Sequence, residues 1–548
     1  SYFSMSPAER NPTGIRFHLP KTIALAVIYT AVAVSIAGLT VLSAYYALHF
    51  GKTTFSDPDF SIRQTFKFLD LIVKLLPSYD TVRPEGLPWV YCGTLTVILA
   101  PLYFLLPNKV VPAREKICGG LMLSLFVFSF NLTPVDMVWH GFQAPNWLNH
   151  RYSFMFCFFL LVFGYRTLDA LLDGRLSKKA PIITGGILLL LVFIIQKFEY
   201  EFFDEKGVWS SIGCIALCLF VLGILLSVGL KRSTGILLTA AICVEAVTIG
   251  VFGMVALDKD VVFTSRASYR SYMDRIEPFI DSITAEDDSF YRLEKSFHRK
   301  TNDPMAIGYK GTSNSTSTLN APAIRLLNRL GYASISHWSK HLGGTPVSDS
   351  LLGLKYLIFE EELEDNKFYE LIKSDEGEEL YAYLNPHALS AVTAVNPAMA
   401  DFDIEEYNTP FELMNAFVTE MLGEEKTVEI FKKIRTKDSD YDNIDIGYVV
   451  GHKKYSPELK TRAGKMLYTI EGVGKEYEIF MALPTDYPRE CSVMINGSDY
   501  GRILGNETAC IKSLGRWEKG EEMLISISIE ENEVYIANSG SFFWYLDE

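Results

Sequence analysis

The chain has 548 residues, of which 49% are hydrophobic and 21% charged, with a formal net charge of −14. That length exceeds one ordinary core, and the acidic balance excludes nucleic acid, whose phosphates need Lys and Arg. The averages conceal two halves: from Asp258 onward stand 31 basic and 50 acidic residues, net −19, which leaves net +5 before it.

The first half repeats apolar runs of the length that carries a helix across ~30 Å of hydrocarbon. Seven runs stand out, at 22–48, 89–106, 117–132, 152–172, 181–198, 208–230 and 235–257, the third being the shortest. Basic residues occupy alternate connections: Arg10, Arg16 and Lys21; Lys109, Arg114 and Lys116; Arg166, Arg175, Lys178 and Lys179; Lys231 and Arg232. Such connections stay on the cytoplasmic side, which puts the start of the chain inside and everything after 257 outside. The expected fold is a polytopic α-helical membrane bundle over 1–257. An extracytoplasmic mixed α/β region over 258–460 and a β-sandwich-like region over 461–548 follow it. The chain opens at Ser1 without Met, its first run is longer than a signal-peptide core, and SFFWYLDE ends it inside a strand-like pattern. It therefore reads as a segment of a longer protein.

GKTT at 51–54 resembles the end of a phosphate loop, but Tyr46 stands where that pattern needs Gly. Asp-Pro-Asp at 57–59 is turn chemistry before a helix more readily than a pair of metal ligands. SIRQTFKFLDLIVKLL (61–76) reads as an external interfacial helix. Ile62, Phe66, Leu69, Val73 and Leu76 fall on one face, and Arg63, Lys67, Asp70 and Lys74 on the other. Its plain role is anchoring. Its sharper role is docking the phosphate of an anionic lipid carrier through Arg63, Lys67 and Lys74. In SYDTVRPEGLPWVYCG (78–93), Asp80 and Arg83 either hold a polar headgroup or pair with each other, while Trp89 and Tyr91 suit an interfacial aromatic belt.

HGFQAPNWLNHRYSF (140–154) connects the third and fourth runs. Trp139 and His140 suit an interface, and Arg151 suits snorkelling. Gln143, Asn146, Asn149 and His150 have no anchoring advantage. Amides, imidazoles and a guanidinium together suit a sugar's hydroxyls and a lipid-linked phosphate. His140, Gln143, Asn146, His150 and Arg151, with Asp80 and Arg83, form the candidate substrate-binding set. Glu245 falls mid-run, where a charge costs ~2.5–3.5 kcal/mol on insertion scales, so it either bridges helices or lines a polar cavity.

In the outer half, SFYRLEKSF (289–297), LLGLKYLIFE (351–360) and ELYAYLNP (379–386) have strand patterns, while 321–332 and 411–423 have helical spacing. From 466 to 530, short strands alternate with Gly, Pro and Asn-Gly turns, the look of an antiparallel sandwich. Cys491 and Cys510 flank a hairpin, and a bridge between them is one option outside the cell. No CxxC or HExxH spacing points to zinc.

LLPSYDTVRPEGLPWVYCG, HGFQAPNWLNHRYSF, YRLEKSFHRKTNDPMAIGYKGTSNSTSTLN (291–320) and LLGLKYLIF, in this order, resemble the YfhO family of bacterial integral membrane proteins, related to the C-type glycosyltransferases. The resemblance covers nearly the whole chain. It implies a bacterial cell-membrane enzyme that takes a sugar from a polyprenyl-phosphate carrier and transfers it to an anionic cell-wall polymer such as lipoteichoic acid. Its partners would be the lipid bilayer, the polyprenyl-phosphate sugar and that polymer. No cofactor is expected, a divalent metal being left open. The superfamily's catalytic carboxylate usually lies in the first external loop of the amino-terminal spans. The resemblance implies that those spans are absent from this segment, so no catalytic residue carries over. The alternative is a noncatalytic, membrane-anchored envelope protein with a carbohydrate-binding outer domain.

Overall fold

The structure is a computed structural model that describes residues 19–49, 51, 59–77, 86–142, 145, 148–198, 203–261, 263–285, 287–316, 320–335, 338–363, 366–449, 451–485, 489–505, 510–530, 533–537 and 541–547. Its contacts form two compact units. One comprises Ser56–Thr264 with the chain up to Gly38, and the other Ser265–Glu548 with Leu39–Phe55.

The helices up to Thr264 are α1 (Leu19–His49), whose residues from Leu39 are assigned to the second unit, and α2 (Phe68–Val73), α3 (Thr94–Leu99), α4 (Ala113–Asn131), α5 (Thr133–Trp139), α6 (Ser153–Leu172), α7 (Ala180–Lys197), α8 (Glu205–Val228) and α9 (Arg232–Asp260) of the first. Among the described residues five helices are long and apolar enough to cross a membrane: α1, α6, α7, α8 and α9. The other two runs expected to cross take different forms. The run at 89–106 becomes the short α3 continued by a 3-10 turn over Ala100–Leu105. Pro101 has no N–H to continue the α-helical ladder there. The run at 117–132 lies in α4, whose first turn holds Arg114, Glu115 and Lys116.

The interfacial helix expected over 61–76 is helical only at Phe68–Val73. The preceding residues pair with the end of α4 instead: Thr65 N donates to Asn131 O (3.0 Å), Phe66 N to Asn131 Oδ1 (3.2 Å), and Arg63 O accepts from Thr133 N (3.2 Å). Groups bonded across the chain cannot close a first helical turn. The helix also turns a different face inward. Asp70, Leu71, Val73, Lys74 and Leu76 are buried, whereas Ile62 and Leu69 are exposed.

Glu245 bridges helices. From α9 its Oε1 accepts the Thr94 backbone N–H at 2.8 Å and the Tyr91 hydroxyl. Gly93, at the N-cap of α3, has no side chain for this task, and the carboxylate satisfies one of the helix's orphan donors and its positive dipole end.

The second unit is mixed. Its helices are α10 (Arg266–Thr284), α11 (Asp303–Ile307), α12 (Ala321–Arg329), α13 (Pro346–Leu351) and α14 (Pro410–Leu422). Its first strands are β1 (Arg292–Lys295), β2 (Asn314–Ser315), β3 (Tyr332–Ile335), β4 (Trp338–Gly343), β5 (Leu354–Phe359), β6 (Glu370–Asp375) and β7 (Leu380–Leu384). They form sheets ordered β1-β5-β7-β6 and β2-β4-β3. Strands β8 (Phe431–Lys433), β9 (Asp438–Asp442), β10 (Ile444–Val449), β11 (His452–Pro457), β12 (Gly464–Glu471), β13 (Glu478–Ala482), β14 (Cys491–Ile495), β15 (Ser498–Ile503), β16 (Ile511–Gly515), β17 (Glu522–Ile529), β18 (Val534–Ala537) and β19 (Phe543–Leu546) follow. They form the sheets β15-β14-β17-β12-β9, β16-β13-β19-β8 and β10-β11-β18.

Alternating inward residues of these sheets meet in one core: Met466, Tyr468 and Ile470 from β12, Val493 and Ile495 from β14, Ile479 and Met481 from β13. The sheets draw in residues 431–457, which lie before the boundary expected at 461. Asn496 (φ +50°) and Gly497 (φ +86°) make the β14–β15 turn, where positive φ at both positions suits the twist of a hairpin. Cys491 and Cys510 are free thiols, so no bridge joins them.

Within the motif at 291–320, Glu294, Lys295, Asp303 and Ser313 are buried and serve internal architecture. Fully buried Glu294 accepts from Ser313 N at 2.6 Å and Thr312 Oγ1 at 3.1 Å. Asp303 accepts from Lys295 Nζ (3.3 Å), Tyr272 Oη (2.6 Å), Arg299 N (2.9 Å) and Lys300 N (3.0 Å). Buried charges persist only when paired and hydrogen-bonded in this way.

Candidate functional site

The connection around 140–154 gathers around a carboxylate outside the expected binding set. Asp136 lies in the first turn of α5, where Pro134 fixes the helix start. Four residues on, His140 ends that helix, so both side chains share a face. His140 Nε2 lies 3.6 Å from Asp136 Oδ1, and His150 Nδ1 lies 3.4 Å from the same oxygen. Tyr152 Oη donates to that oxygen at 2.7 Å. Trp139 stacks on Tyr152 at 4.8 Å and donates from Nε1 to Ser129 Oγ at 3.0 Å. The cluster thus has a rigid aromatic wall.

Asp136 and His150 are buried, 7% and 5% exposed. The two histidine nitrogens facing Asp136 are buried and make no hydrogen bond within the described residues. Burial lowers the His140 pKa below its ordinary 6.5, with Asp136 opposing the shift and Arg151 and His150 adding to it. The imidazole is therefore held neutral near pH 7. Gly141, Phe142, Leu148 and His150 all have positive φ. For the three residues that are not glycine this conformation is strained, and such strain collects where surroundings over-determine a site.

His140 and His150 thus meet at one point. Arg151 lies beside them in the chain, its Nε donating to Leu148 O at 3.1 Å. Asp80, Arg83, Gln143 and Asn146 lie outside the described residues. The strip 63–66 runs against the end of α4 and the start of α5, and its Phe66 ring meets the His150 ring edge-on at 6.1 Å. Arg63 is exposed and ion-paired with Asp59, whose Oδ1 also accepts from Ser61 N at 2.8 Å. Lys67 is exposed at the N-cap of α2. Lys74, expected beside them on an outward face, is buried, so these three cations do not form one exposed row. Asp136 was detectable in the sequence only as the acid four residues before His140 in TPVDMVWH. Asp136, His140 and His150 converge, but among the described residues no group of three or more His, Cys, Asp or Glu is arranged as a metal site.

The profile of the family described as "Bacterial membrane protein YfhO" matches residues 12–540. The chain belongs to the YfhO family. It is accordingly a membrane protein, as its five long apolar helices require. No curated protein and no solved structure matches it.

Proposed function

We propose that this YfhO protein is a membrane glycosyltransferase. It takes a sugar from a polyprenyl-phosphate carrier and transfers it to an envelope polymer such as lipoteichoic acid, outside the cell. The observation that carries the reading is a buried carboxylate between two imidazoles, within a chain matched by this family from 12 to 540. Asp136 Oδ2 accepts no hydrogen bond within the described residues, which leaves it basic capacity. In the proposed step the acceptor hydroxyl oxygen attacks the anomeric carbon and its proton passes to Asp136. The anomeric C–O bond breaks with its electron pair leaving on the lipid phosphate. Arg63, Lys67 and Arg151 are the cations assigned to that developing charge. The alternating basic connections of the first half support an outer location for the second unit.

The test uses membranes carrying the protein, polyprenyl-phosphate with a radiolabelled hexose, and lipoteichoic acid as acceptor. Transfer should be present in the wild type and fall ~10²–10⁴-fold in Asp136→Asn, the range for loss of a general base. Full transfer by Asp136→Asn would remove Asp136 from the chemistry, and no transfer across several donors and acceptors would sink the enzyme reading. A noncatalytic, carbohydrate-binding role of the outer domain would then take its place, favoured by the cavities of the second unit.

A further inference from the structure

The second unit holds a hollow of about 590 Å³ walled by three parts of the chain. The first is the segment joining β4 to α13, where Gly343 (φ +90°) and Gly344 (φ +86°) carry the backbone across the Tyr332 ring. A Cβ on Gly344 would approach that ring to 2.4 Å, so only glycine leaves this space open. The second wall carries Phe359, Phe368 and Tyr369, and the third carries Tyr500, Glu478 and Arg516 from the sandwich sheets.

The floor is stiff. Asp349 accepts from Tyr332 Oη (2.6 Å) and Tyr369 Oη (2.7 Å), and lies 3.0 Å from His341 Nε2. The Arg516 guanidinium lies over the Phe368 ring at 5.3 Å and 3.9 Å from Glu478. Glu478 also accepts from Ser513 Oγ at 2.6 Å. The Tyr500 hydroxyl has no hydrogen bond within the described residues. A second hollow of about 1210 Å³ shares Ser296, Phe359 and Leu363 with the first and is lined by Glu360, Glu361, Glu362 and Glu379. Arg275 pairs with Glu360 and offsets part of that charge.

We infer that these joined hollows are a binding groove for a neutral oligosaccharide. The first hollow falls within the roughly 300–1,000 Å³ of ligand sites and the second extends it, with aromatic side chains for the C–H side of a sugar ring and fixed polar groups for its hydroxyls. In the first hollow Asp349 lies against His341 and Glu478 near Arg516, whereas the second is lined by four glutamates. A polyanion such as a glycerol-phosphate polymer would be repelled there, so the groove selects an uncharged chain. The inference needs no transfer chemistry in the membrane unit.

The full chain in lipid nanodiscs is titrated with maltotriose, cellotriose, triacetylchitotriose and poly(glycerol phosphate), with binding read by calorimetry. Saturable binding of at least one neutral trisaccharide is expected. Tyr500→Ala and Glu478→Gln should each weaken it at least about tenfold. Thermal melts of both variants identify any that fails to fold, in which case the affinity of the other decides. Binding of none of the three trisaccharides, binding of the polyanion alone, or unchanged affinity in a folded variant would overturn the inference. Because binding is read without transfer, failure here is separable from failure of the enzyme reading.

Discussion

The Tyr152 hydroxyl donates to Asp136 Oδ1 at 2.7 Å and thereby ties the entry of α6 to the first turn of α5. The bond joins two helices across a polar connection and fixes the oxygen that His140 and His150 also face. Tyr152→Phe removes the donor while keeping the ring stacked on Trp139. Leaving a buried carboxylate short of a donor costs ~1–3 kcal/mol. A lower melting temperature in detergent, with transfer reduced less than in Asp136→Asn, is the expected pair of results. An unchanged melt would show that the bond carries no stability.

Two histidines should give opposite pH dependences. Burial lowers the His140 pKa, so the unfolded chain binds a proton first as pH falls. Its contribution is complete above 6.5 and is lost as pH falls below that value toward the folded pKa. For His341, burial also lowers the pKa, but Asp349 and Glu294 outweigh it and the net shift is upward. Its contribution is complete below 6.5 and is lost as pH rises through the folded pKa. Melting curves from pH 5 to 8 for His140→Asn and His341→Asn should therefore lose pH-dependent stability on opposite sides of 6.5. The same side for both would contradict these assignments.

Glu245 should act through geometry rather than charge alone. Glu245→Ala leaves the Thr94 N–H and the Tyr91 hydroxyl without their acceptor. A loss of ~1–3 kcal/mol is expected, while Glu245→Gln keeps one acceptor oxygen and should lose less. Thermal unfolding in matched detergent compares the two, and equal losses would argue against the capping role.

Lys295 and Asp303 offer a sharper stability test, because Lys295 is fully buried and 3.3 Å from its partner. Asp303→Asn strands the cation, and breaking a buried pair from one side costs ~3–5 kcal/mol. Replacing both, as Lys295→Met with Asp303→Asn, should recover part of that loss in a double-mutant cycle. A purely additive double variant would mean the two charges do not interact.

Periodicity alone determined the division into an apolar helical half and a mixed outer half, because burial in lipid or in a sheet imposes repeats that a sequence displays. The strand patterns of LLGLKYLIFE and ELYAYLNP became β5 and β7, and Gly423 closes α14 in the left-handed conformation. The tertiary structure decided where local pattern and long-range bonding compete. The pattern at 61–76 suits a helix throughout, yet residues 63–66 bond to the end of α4 and only 68–73 remain helical. Glu245 could bridge or line a cavity, and only the fold brings Thr94 to it. The candidate site divides in the same way. HGFQAPNWLNHRYSF advertised His140 and His150 by composition, whereas Asp136 became visible only when α5 and the strained connection after it brought both imidazoles to one oxygen. Hydrophobic period is a property of the local sequence, but which polar residues of a connection meet is decided by the turns that fold it.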